Sequence, residues 1–401
     1  MNPLNQTIRD NFYRFLFSPT RTPIGIEITK AEGIFLYDTN NRKIIDLVSG
    51  VCVSNIGHGN RAVVEAIKKQ LDSHLHLMVY GEIIQSVQVQ LAEKLASLLG
   101  ENLSSIYFVN SGSEANELAL KLAKRVTGRT KMVSFKNGYY GSTHGALSVM
   151  GSEEYKSSFR PLLPAVEHLD FNSFEQLEKI DEQTACVIGE VVMAEGGVIS
   201  PVEGYLQALR DRCEEVGALL IFDEIQSGFG RCGELFAFQK YGVEPHILTM
   251  AKALGGGMPI GAVATSRVLF SKLHTSPPLG HITTFGGHPL SCAASLASIE
   301  FILKERLCEK VYTKSAIFVE ALKGHPLVKE VRAEGLLIAV ELKSESALEQ
   351  ALKLMLEEGV MSDLFLFSPR SFRIAPPLTI TQEEIDVAIA AILRALEKIE
   401  R

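Results

Sequence analysis

Several features are scarce or absent in this 401-residue sequence, and each absence excludes a class of protein. No hydrophobic run is long enough to span a membrane or to form a secretory signal. Basic residues do not predominate, because 40 Lys and Arg stand against 47 Asp and Glu. A surface that binds nucleic acid or anionic lipid needs clustered positive charge. We therefore expect no nucleic-acid or membrane partner and a cytoplasmic location.

Metal-like spacing is missing among the six cysteines, and repeats and low-complexity linkers are missing from the whole chain. Cys186 and Cys292 lie in apolar stretches, where cysteine acts as a small core residue. We therefore expect no metal site and a reducing compartment. Hydrophobic residues make up 46% of the chain and charged residues 22%, which indicates a folded protein long enough for two domains.

Short runs rich in Ile, Val and Phe alternate with helical patterns such as 205–216, which predicts a βα series around a mostly parallel sheet. These runs cover residues 105–110, 131–135, 185–192, 218–222 and 247–250. Toward both chain ends the pattern changes to short antiparallel strands and long helices. We predict an α/β fold in which helices enclose a seven-stranded sheet in a large domain, residues 65–288. Residues 1–64 and 289–401 are predicted to build one smaller α+β domain.

Two polar residues at strand ends carry the strongest functional signal. Asp223 ends the run 218–222, and Lys252 leaves the run 247–250 just before three glycines. Ligands of parallel sheets bind at the carboxyl ends of the strands, so both residues are expected in one crevice. A lysine amine can form an imine with an aldehyde cofactor, and a carboxylate can keep a pyridine nitrogen protonated so that the ring accepts electrons. Taken singly, either residue could instead be a helix-capping acid or a solvent-exposed lysine.

A turn of small residues between a strand and a helix predicts a seat for a phosphate group. Ser111, Gly112 and Ser113 fall at the amino end of an amphipathic helix, where free amides and the helix dipole favour an anion. The alternative is an ordinary capping box formed by Ser111 and Glu114.

Four further segments contribute candidate residues of the same site. Tyr139 and Tyr140 lie in a glycine-flanked loop where a ring could stack on a planar cofactor, or simply pack on its own loop. Gln226 follows the strand-end acid and can hydrogen-bond a ring oxygen, whereas Glu224 should point away by strand alternation. The remaining candidates are Glu190, which ends another buried run, and the hydroxyls of Thr283 and Thr284, which bind phosphate or merely form a turn.

With these segments in a fixed order, the sequence resembles the class III aminotransferases, of pyridoxal phosphate fold type I, and most of all their acetylornithine and ornithine branch. The resemblance extends from Asp46 to Leu378 and includes Arg332 to Leu337 and Arg373 to Leu378. It implies that Lys252 forms the imine with pyridoxal 5′-phosphate.

The resemblance also implies the roles of other residues of the site. Asp223 pairs with the ring nitrogen, Gln226 lies near the ring hydroxyl, and Tyr139 stacks on the ring. Gly112 and Ser113 hold the phosphate, and Thr284 reaches it from the second subunit of a homodimer.

The substrate side departs from that branch at one position. Ser142 occupies the place of an arginine that usually clamps a substrate α-carboxylate, and one hydroxyl cannot replace a charged fork. Glu195 and Arg373 do match the branch, where the glutamate can cover and release the arginine; the alternative is a salt bridge on the rim. Thr283 and Tyr80 complete the candidate substrate-binding residues.

These residues predict a transaminase that moves an amino group, from an ω-amino donor, to a 2-oxo acid acceptor. The same cofactor and fold also support aminomutases, racemases and decarboxylases. A noncatalytic scaffold protein is a further alternative, although intact Lys252 and Asp223 speak against it. A nicotinamide-dependent dehydrogenase is suggested only by the βα pattern, and no Gly-x-Gly-x-x-Gly turn opens the early helices.

Overall fold

The computed structural model describes residues 3–399. The strands are β1 (Ile28–Glu32), β2 (Phe35–Asp38), β3 (Lys43–Asp46), β4 (Ser105–Val109), β5 (Lys131–Phe135), β6 (Val166–Leu169), β7 (Thr184–Glu190), β8 (Leu219–Asp223), β9 (Ile247–Met250), β10 (Gly261–Thr265), β11 (Val328–Glu334), β12 (Leu337–Leu342), β13 (Val360–Met361), β14 (Leu364–Phe365) and β15 (Ser368–Ile374).

The helices alternate with these strands along most of the chain. They are α1 (Pro3–Phe15), α2 (Ser49–Cys52), α3 (Arg61–Leu71), α4 (Ser86–Leu99), α5 (Gly112–Thr127), α6 (His144–Val149), α7 (Tyr205–Val216), α8 (Ala237–Tyr241), α9 (Arg267–Ser271), α10 (Pro289–Lys304), α11 (Val311–Leu322), α12 (Glu345–Glu357) and α13 (Gln382–Glu397).

The central sheet has seven strands in the order β4-β10-β9-β8-β7-β5-β6, and this confirms the predicted α/β fold. Only β10 runs antiparallel to its neighbours, β4 and β9. Every residue of β7 and β8 is buried, which is expected for parallel strands covered by helices on both faces. The long apolar runs of the sequence have this origin.

Two smaller sheets bring the chain ends together. In the order β1-β2-β3-β13, strand β13 from the carboxyl-terminal part pairs in parallel with β3 from the amino-terminal part. The other sheet, β11-β12-β15-β14, is antiparallel. We propose domain boundaries at residues 64 and 289, as the sequence pattern predicts. Across residues 3–399, no helix combines the length and the apolar character needed to cross a bilayer.

The register of the central sheet aligns the residues at its carboxyl edge. Glu190 is paired with Asp223 across β7 and β8, and Asp223 with Thr249 across β8 and β9. Lys252 follows β9 after a single intervening residue. Sheet pairing therefore brings three candidate site residues of distant sequence position to one edge.

Candidate active site

A cavity of about 460 Å³ opens at this carboxyl edge, within the size range of small-molecule sites. Ten of the residues singled out in the sequence line it, namely Ser111, Gly112, Ser113, Tyr139, Tyr140, Glu190, Glu195, Asp223, Gln226 and Lys252. Residues that the sequence analysis did not single out complete the wall, among them Val53, Ile225 and Met258. The constellation predicted from separate motifs thus converges on one cavity.

Lys252 has a strained backbone and a single side-chain partner. Its φ is 47°, a left-handed conformation that a non-glycine residue adopts rarely and that clusters at functional sites. Its Nζ donates a hydrogen bond of 2.6 Å to Gln226 Oε1. The Nε2 group of Gln226 is buried and has no hydrogen-bond partner in the structure. Both side chains therefore present polar atoms to whatever occupies the cavity.

Asp223 is a buried carboxylate held from two sides. Oδ1 accepts a hydrogen bond from the amide of Ile225 at 2.9 Å, and Oδ2 accepts one from Asn116 Nδ2 at 2.7 Å. Burial raises the pKa of Asp223 to about 6, and the donors and nearby Lys252 oppose that rise. The carboxylate is therefore fixed in orientation and ionised at neutral pH.

Glu190 lies beside Asp223 as its partner in the sheet. Oε1 accepts from the amide of Tyr139 at 3.2 Å and Oε2 from the amide of Ala194 at 2.9 Å. Burial, together with the negative charge of Asp223, raises the pKa of Glu190 to about 8. Burial and the charge of Asp223 therefore favour the protonated form of Glu190 over that of Asp223.

The amino terminus of α5 forms one wall of the cavity. Ser111 Oγ accepts a hydrogen bond from the amide of Glu114 at 3.2 Å. Glu114 Oε2, however, accepts a hydrogen bond from the amide of Asn110 at 2.7 Å instead of from the amide of Ser111. Only half of the capping box is thus present. A Cβ on Gly112 would lie 2.7 Å from Ile225 Cδ1, so a larger residue there would have to displace the end of the Ile225 side chain. The first helical amides remain available for an anion.

The two tyrosines of the glycine-flanked loop differ in exposure. Tyr140 is 2% exposed, and its carbonyl accepts a second hydrogen bond from Asn116 Nδ2, at 2.8 Å. Tyr139 is partly buried, and its hydroxyl lies 3.3 Å from Ser142 Oγ. Tyr139 is therefore the ring that can move enough to stack on a ligand, whereas Tyr140 belongs to the wall.

Glu195 and Arg373 form a buried ion pair. Arg373 Nη2 donates to Glu195 Oε1 at 2.8 Å, and the amide of Leu366 donates to Glu195 Oε2 at 3.1 Å. Burial opposes the charge of Glu195, but Arg373 and Lys252 outweigh it and lower the pKa of Glu195. The alternative of a salt bridge on the rim is wrong, because the sheet and the following hairpin enclose both side chains.

Arg373 has a second carboxylate neighbour that the sequence did not reveal. Its Nε lies 3.0 Å from Asp363 Oδ1, and its guanidinium lies 4.4 Å from the centre of the Phe365 ring. Burial raises the pKa of Asp363 to about 6, against the opposing effect of Arg373. Arg373 therefore retains an acidic neighbour and an aromatic support when Glu195 is displaced.

The remaining candidates do not line the cavity of the single chain. Thr283 Oγ1 accepts a hydrogen bond from Asn110 Nδ2 at 2.8 Å, beside the α5 terminus. Thr284 is exposed, and Tyr80 is partly buried. Ser142 and Arg373 contact lining residues without belonging to the lining themselves.

Asn116 is the most informative residue that the sequence analysis missed. It is fully buried and connects Asp223 with the carbonyl of Tyr140. A signal existed, because an asparagine on the buried side of α5, in line with Ala119, Leu120 and Ala123, interrupts an otherwise apolar face. Asp363 gave no such signal, since it lies in an irregular hairpin.

Comparisons with known proteins all identify aminotransferases as relatives of this chain. The family model described as aminotransferase class-III matches residues 16–396. Acetylornithine aminotransferase of Archaeoglobus fulgidus is 40% identical over 375 residues, which cover 93% of this chain and 96% of the relative. The [LysW]-aminoadipate semialdehyde/glutamate semialdehyde transaminase of Sulfurisphaera tokodaii is 36% identical over 380 residues, covering 94% of this chain and 96% of the relative.

Solved structures share the whole architecture. A Bacillus anthracis aminotransferase superimposes with a TM-score of 0.92 at 27% identity, and the match covers 100% of both chains. The ornithine aminotransferase of Toxoplasma gondii, described with partial occupancy of PLP at the active site, gives a TM-score of 0.90 at 28% identity. That match covers 98% of this chain and 94% of the other.

Proposed function

The chain belongs to the class III aminotransferases, and from this premise we propose that it transfers the amino group of an ω-amino donor to a 2-oxo acid. Transamination with pyridoxal phosphate is the chemistry of this family, as the resemblance implied. The relatives described above are named transaminases, which supports this reaction over that of an aminomutase, racemase or decarboxylase. A nicotinamide-dependent dehydrogenase and a noncatalytic scaffold have no support in these comparisons.

The residues that line the cavity fit pyridoxal phosphate. The buried Nε2 of Gln226 has no hydrogen-bond partner among the described residues, and Gly112 and Ser113 at the amino terminus of α5 line the cavity, where helix amides favour an anion. In this proposal the amides of Gly112 and Ser113 hold the phosphate, and Asp223 faces the ring nitrogen. When bound, the cofactor supplies an aldehyde that condenses with amines and a ring that delocalises electrons.

Lys252 has two tasks in this proposal. Its amine is the nucleophile that would hold the cofactor covalently. When it is not so engaged, its Nζ, which lies 2.6 Å from Gln226 Oε1 in the structure, would act as the general base and acid at the substrate carbon that bears the amino group. Asp223 would accept a hydrogen bond from the protonated ring nitrogen, and burial favours the uncharged form of its neighbour Glu190.

The choice of donor rests on one observation, the absence of a carboxylate clamp. Ser142 stands where the branch has arginine, and the described residues that line the cavity include no arginine at all. Lys252 is the basic residue of that lining and is committed to the cofactor. A donor with a free α-carboxylate therefore gains no bidentate ion pair, and we propose an ω-amino donor with little discrimination for that group.

We propose that the acceptor uses Arg373 through exchange with Glu195. In the closed arrangement the carboxylate of Glu195 occupies one guanidinium nitrogen and the amide of Leu366. An acceptor carboxylate can take the same two donors once Glu195 moves aside. Asp363, 3.0 Å from Arg373 Nε, supports this exchange, because a buried guanidinium without any acidic partner is strongly disfavoured.

We propose a homodimer in which Thr284 completes the phosphate site of the partner subunit. An exposed apolar face supports this, formed by Leu75, Leu77, Ile83, Ile84, Val89, Ile282 and Phe285. Its two segments are neighbours, since the rings of His76 and Phe285 lie 4.9 Å apart. Contiguous apolar surface of this kind is typical of an interface between subunits.

The cellular setting follows from the chemistry that we propose. A transaminase of small amines with free, mostly buried cysteines suits a cytoplasmic enzyme of amino acid metabolism. Cytoplasmic location and metabolic role are part of the proposal.

A panel of donors tests the function directly. Ornithine, acetylornithine, lysine, 4-aminobutyrate, β-alanine and diamines would be scored against 2-oxoglutarate and pyruvate. We expect activity only when an acceptor is present, and we expect ω-amino donors with and without a free α-carboxylate to react at similar rates. Turnover of a donor without any acceptor would contradict transamination, and a strict requirement for an α-carboxylate would contradict the assigned donor class.

A further inference from the structure

Glu190, Asp223 and Asn116 form a buried polar cluster at the cavity wall, and Asn116 has no role in the chemistry proposed above. Glu190 and Asp223 are partners in the sheet, and Asn116 on α5 faces them from the helical layer. All three side chains are buried, with exposures of 7%, 4% and 0%. Two acids so close cannot both ionise without a large penalty, so something has to decide which of them carries the charge.

The hydrogen bonds of Asn116 are directed at one of the two acids. Its Nδ2 group has two hydrogens, one donated to Asp223 Oδ2 at 2.7 Å and one to the carbonyl of Tyr140 at 2.8 Å. Its Oδ1 is buried without a hydrogen-bond partner, so the amide is oriented by what it donates. Each acid accepts two hydrogen bonds, but those of Glu190 come from the backbone amides of Tyr139 and Ala194, whereas Asp223 has one backbone donor and the side chain of Asn116. Asn116 therefore stabilises the ionised form of Asp223 and not that of Glu190.

We propose that Asn116 is a positioning residue that assigns the negative charge of the Glu190 and Asp223 pair to Asp223 and aims this carboxylate at the cofactor nitrogen. This inference rests on the proposed role of Asp223. Asn116 touches neither substrate nor cofactor in this proposal, and it acts through the acid. The carbonyl of Tyr140 serves as its anchor, so α5 and the glycine-flanked loop are coupled to the charge of Asp223.

Other charged or titratable groups also face Asp223 and have to be considered. They are Glu190 on β7, Tyr140 in the loop after β5, Lys252 after β9 and Glu224 at the end of its own strand. Glu224 is satisfied by Ser227 Oγ and by the amides of Ala237 and Phe238, away from the cavity. Among the described residues, Asn116 is the neutral side chain that donates a hydrogen bond to Asp223, so a substitution at this position removes that donor.

The test measures cofactor binding rather than turnover. Pyridoxine 5′-phosphate has no aldehyde, so its affinity for the protein freed of cofactor reports noncovalent contacts, including that of the ring nitrogen. We expect Asn116→Leu to weaken this affinity about ten- to a hundredfold at pH 7, the worth of one hydrogen bond to a charged group. The pH at which affinity changes should also move upward, because Asp223 loses a donor that favours its ionised form.

A second variant keeps the test decisive if Asn116→Leu does not fold. Asn116→Asp preserves the shape but adds a third buried acid, which can donate to Asp223 only while it is protonated. We expect a larger loss of affinity at pH 8 and partial recovery near pH 5, where the introduced acid is protonated and can donate. An affinity and a pH profile equal to those of the wild type would overturn the inference.

Two further variants separate a structural effect from the proposed one. Asn55 is also buried. Its Nδ2 donates to the carbonyl of Phe229 and its Oδ1 accepts from Arg231 Nη2, and both partners lie outside the cavity. Asn55→Leu should lower the melting temperature and leave the pH profile of binding unmoved. Asp223→Asn tests the premise: if it fails to weaken binding, the assignment of Asp223 fails, whereas weakening by Asp223→Asn alone refutes only the role of Asn116.

Discussion

Glu195 Oε1 accepts a hydrogen bond from Arg373 Nη2 at 2.8 Å, and the two side chains are 6% and 2% exposed. An exposed pair of this kind contributes little, but a buried charge left without its partner is strongly disfavoured. The buried guanidinium of Arg373 is therefore stable only while a carboxylate, from the protein or from a substrate, lies against it.

The exchange of Glu195 predicts unequal effects on the two half-reactions. In Glu195→Gln the arginine loses one of its two acidic neighbours during the donor half-reaction, so we expect the ratio of the two kcat/KM values to change by roughly tenfold or more. Rapid-mixing measurements of each half-reaction check this. Glu153→Gln, which removes an exposed partner of Arg160, should change neither. Equal changes in both half-reactions of Glu195→Gln would refute the exchange.

The role of Lys252 predicts loss of covalent attachment together with loss of activity. Lys252→Ala should show essentially no turnover and, after borohydride reduction, no cofactor mass on the peptide that contains position 252. The wild-type peptide should carry that mass. Retained turnover in the variant would show that another group performs the proton transfer.

The missing clamp predicts that donor preference can be changed at Ser142. Ser142→Arg should raise kcat/KM for ornithine-type donors about tenfold, because a bidentate pair with a carboxylate contributes roughly 1.5–3 kcal/mol. Ser142→Lys is the matched control, since it adds the charge without the planar fork and should gain less. A folded Ser142→Arg variant without improvement would mean that another residue already supplies the clamp.

The raised pKa of Glu190 predicts a pH-dependent stability of the protein without cofactor. Folding shifts this pKa from its ordinary value of 4.5 to about 8, so the folded state binds the proton more tightly. Its contribution to stability is complete below pH 4.5 and is lost as pH rises toward 8. The free energy of unfolding should therefore fall by a few kcal/mol over this window, at about 1.4 kcal/mol per unit.

Glu190→Gln is expected to remove most of this slope between pH 6 and 8, because the amide that replaces the carboxyl group cannot titrate. Denaturant titrations at several pH values provide the measurement. Asp223, with its pKa raised to about 6, adds a loss of the same sign at lower pH and remains in the variant. An unchanged slope would show that Glu190 titrates normally.

The apolar face predicts the consequence of a charge at its most exposed member. Ile84 is 91% exposed in the single chain, and Ile84→Glu should convert the proposed dimer to monomers in sedimentation experiments. Cofactor affinity should fall as well, because in that proposal Thr284 of the partner subunit would no longer reach the site. Val387→Glu, at an exposed valine on α13 outside the apolar face, is the control and should leave the mass unchanged.

Much of the fold could be predicted because its signals are local. The run 131–135 is a strand with the predicted bounds, and α7 spans Tyr205–Val216 as its periodicity indicates. The strand predicted at 185–192 ends earlier, at Glu190, because the chain turns there to present that carboxylate. Apolar periodicity identifies helices and strands well, but it does not show at which residue a strand ends and a turn begins.

The site could be predicted where a residue ends a strand or begins a helix, as for Asp223, Lys252, Gly112 and Ser113. Asn116 left a local signal, a polar residue on an apolar helix face, but not the identity of its partner Asp223, which is 107 positions away. Asp363 left no signal, because it lies in an irregular hairpin. No local pattern identifies the partner in such a contact.

Local periodicity and short motifs in the sequence specified the order of elements, the family and the two strand-end residues to which we assign the chemistry. Only the tertiary structure decided that Glu190 stands beside Asp223, that Asn116 donates to one of them and that Arg373 is enclosed by two acids. The physical reason is that burial and charge act between neighbours in space, and packing of the sheet against α5 creates those neighbours.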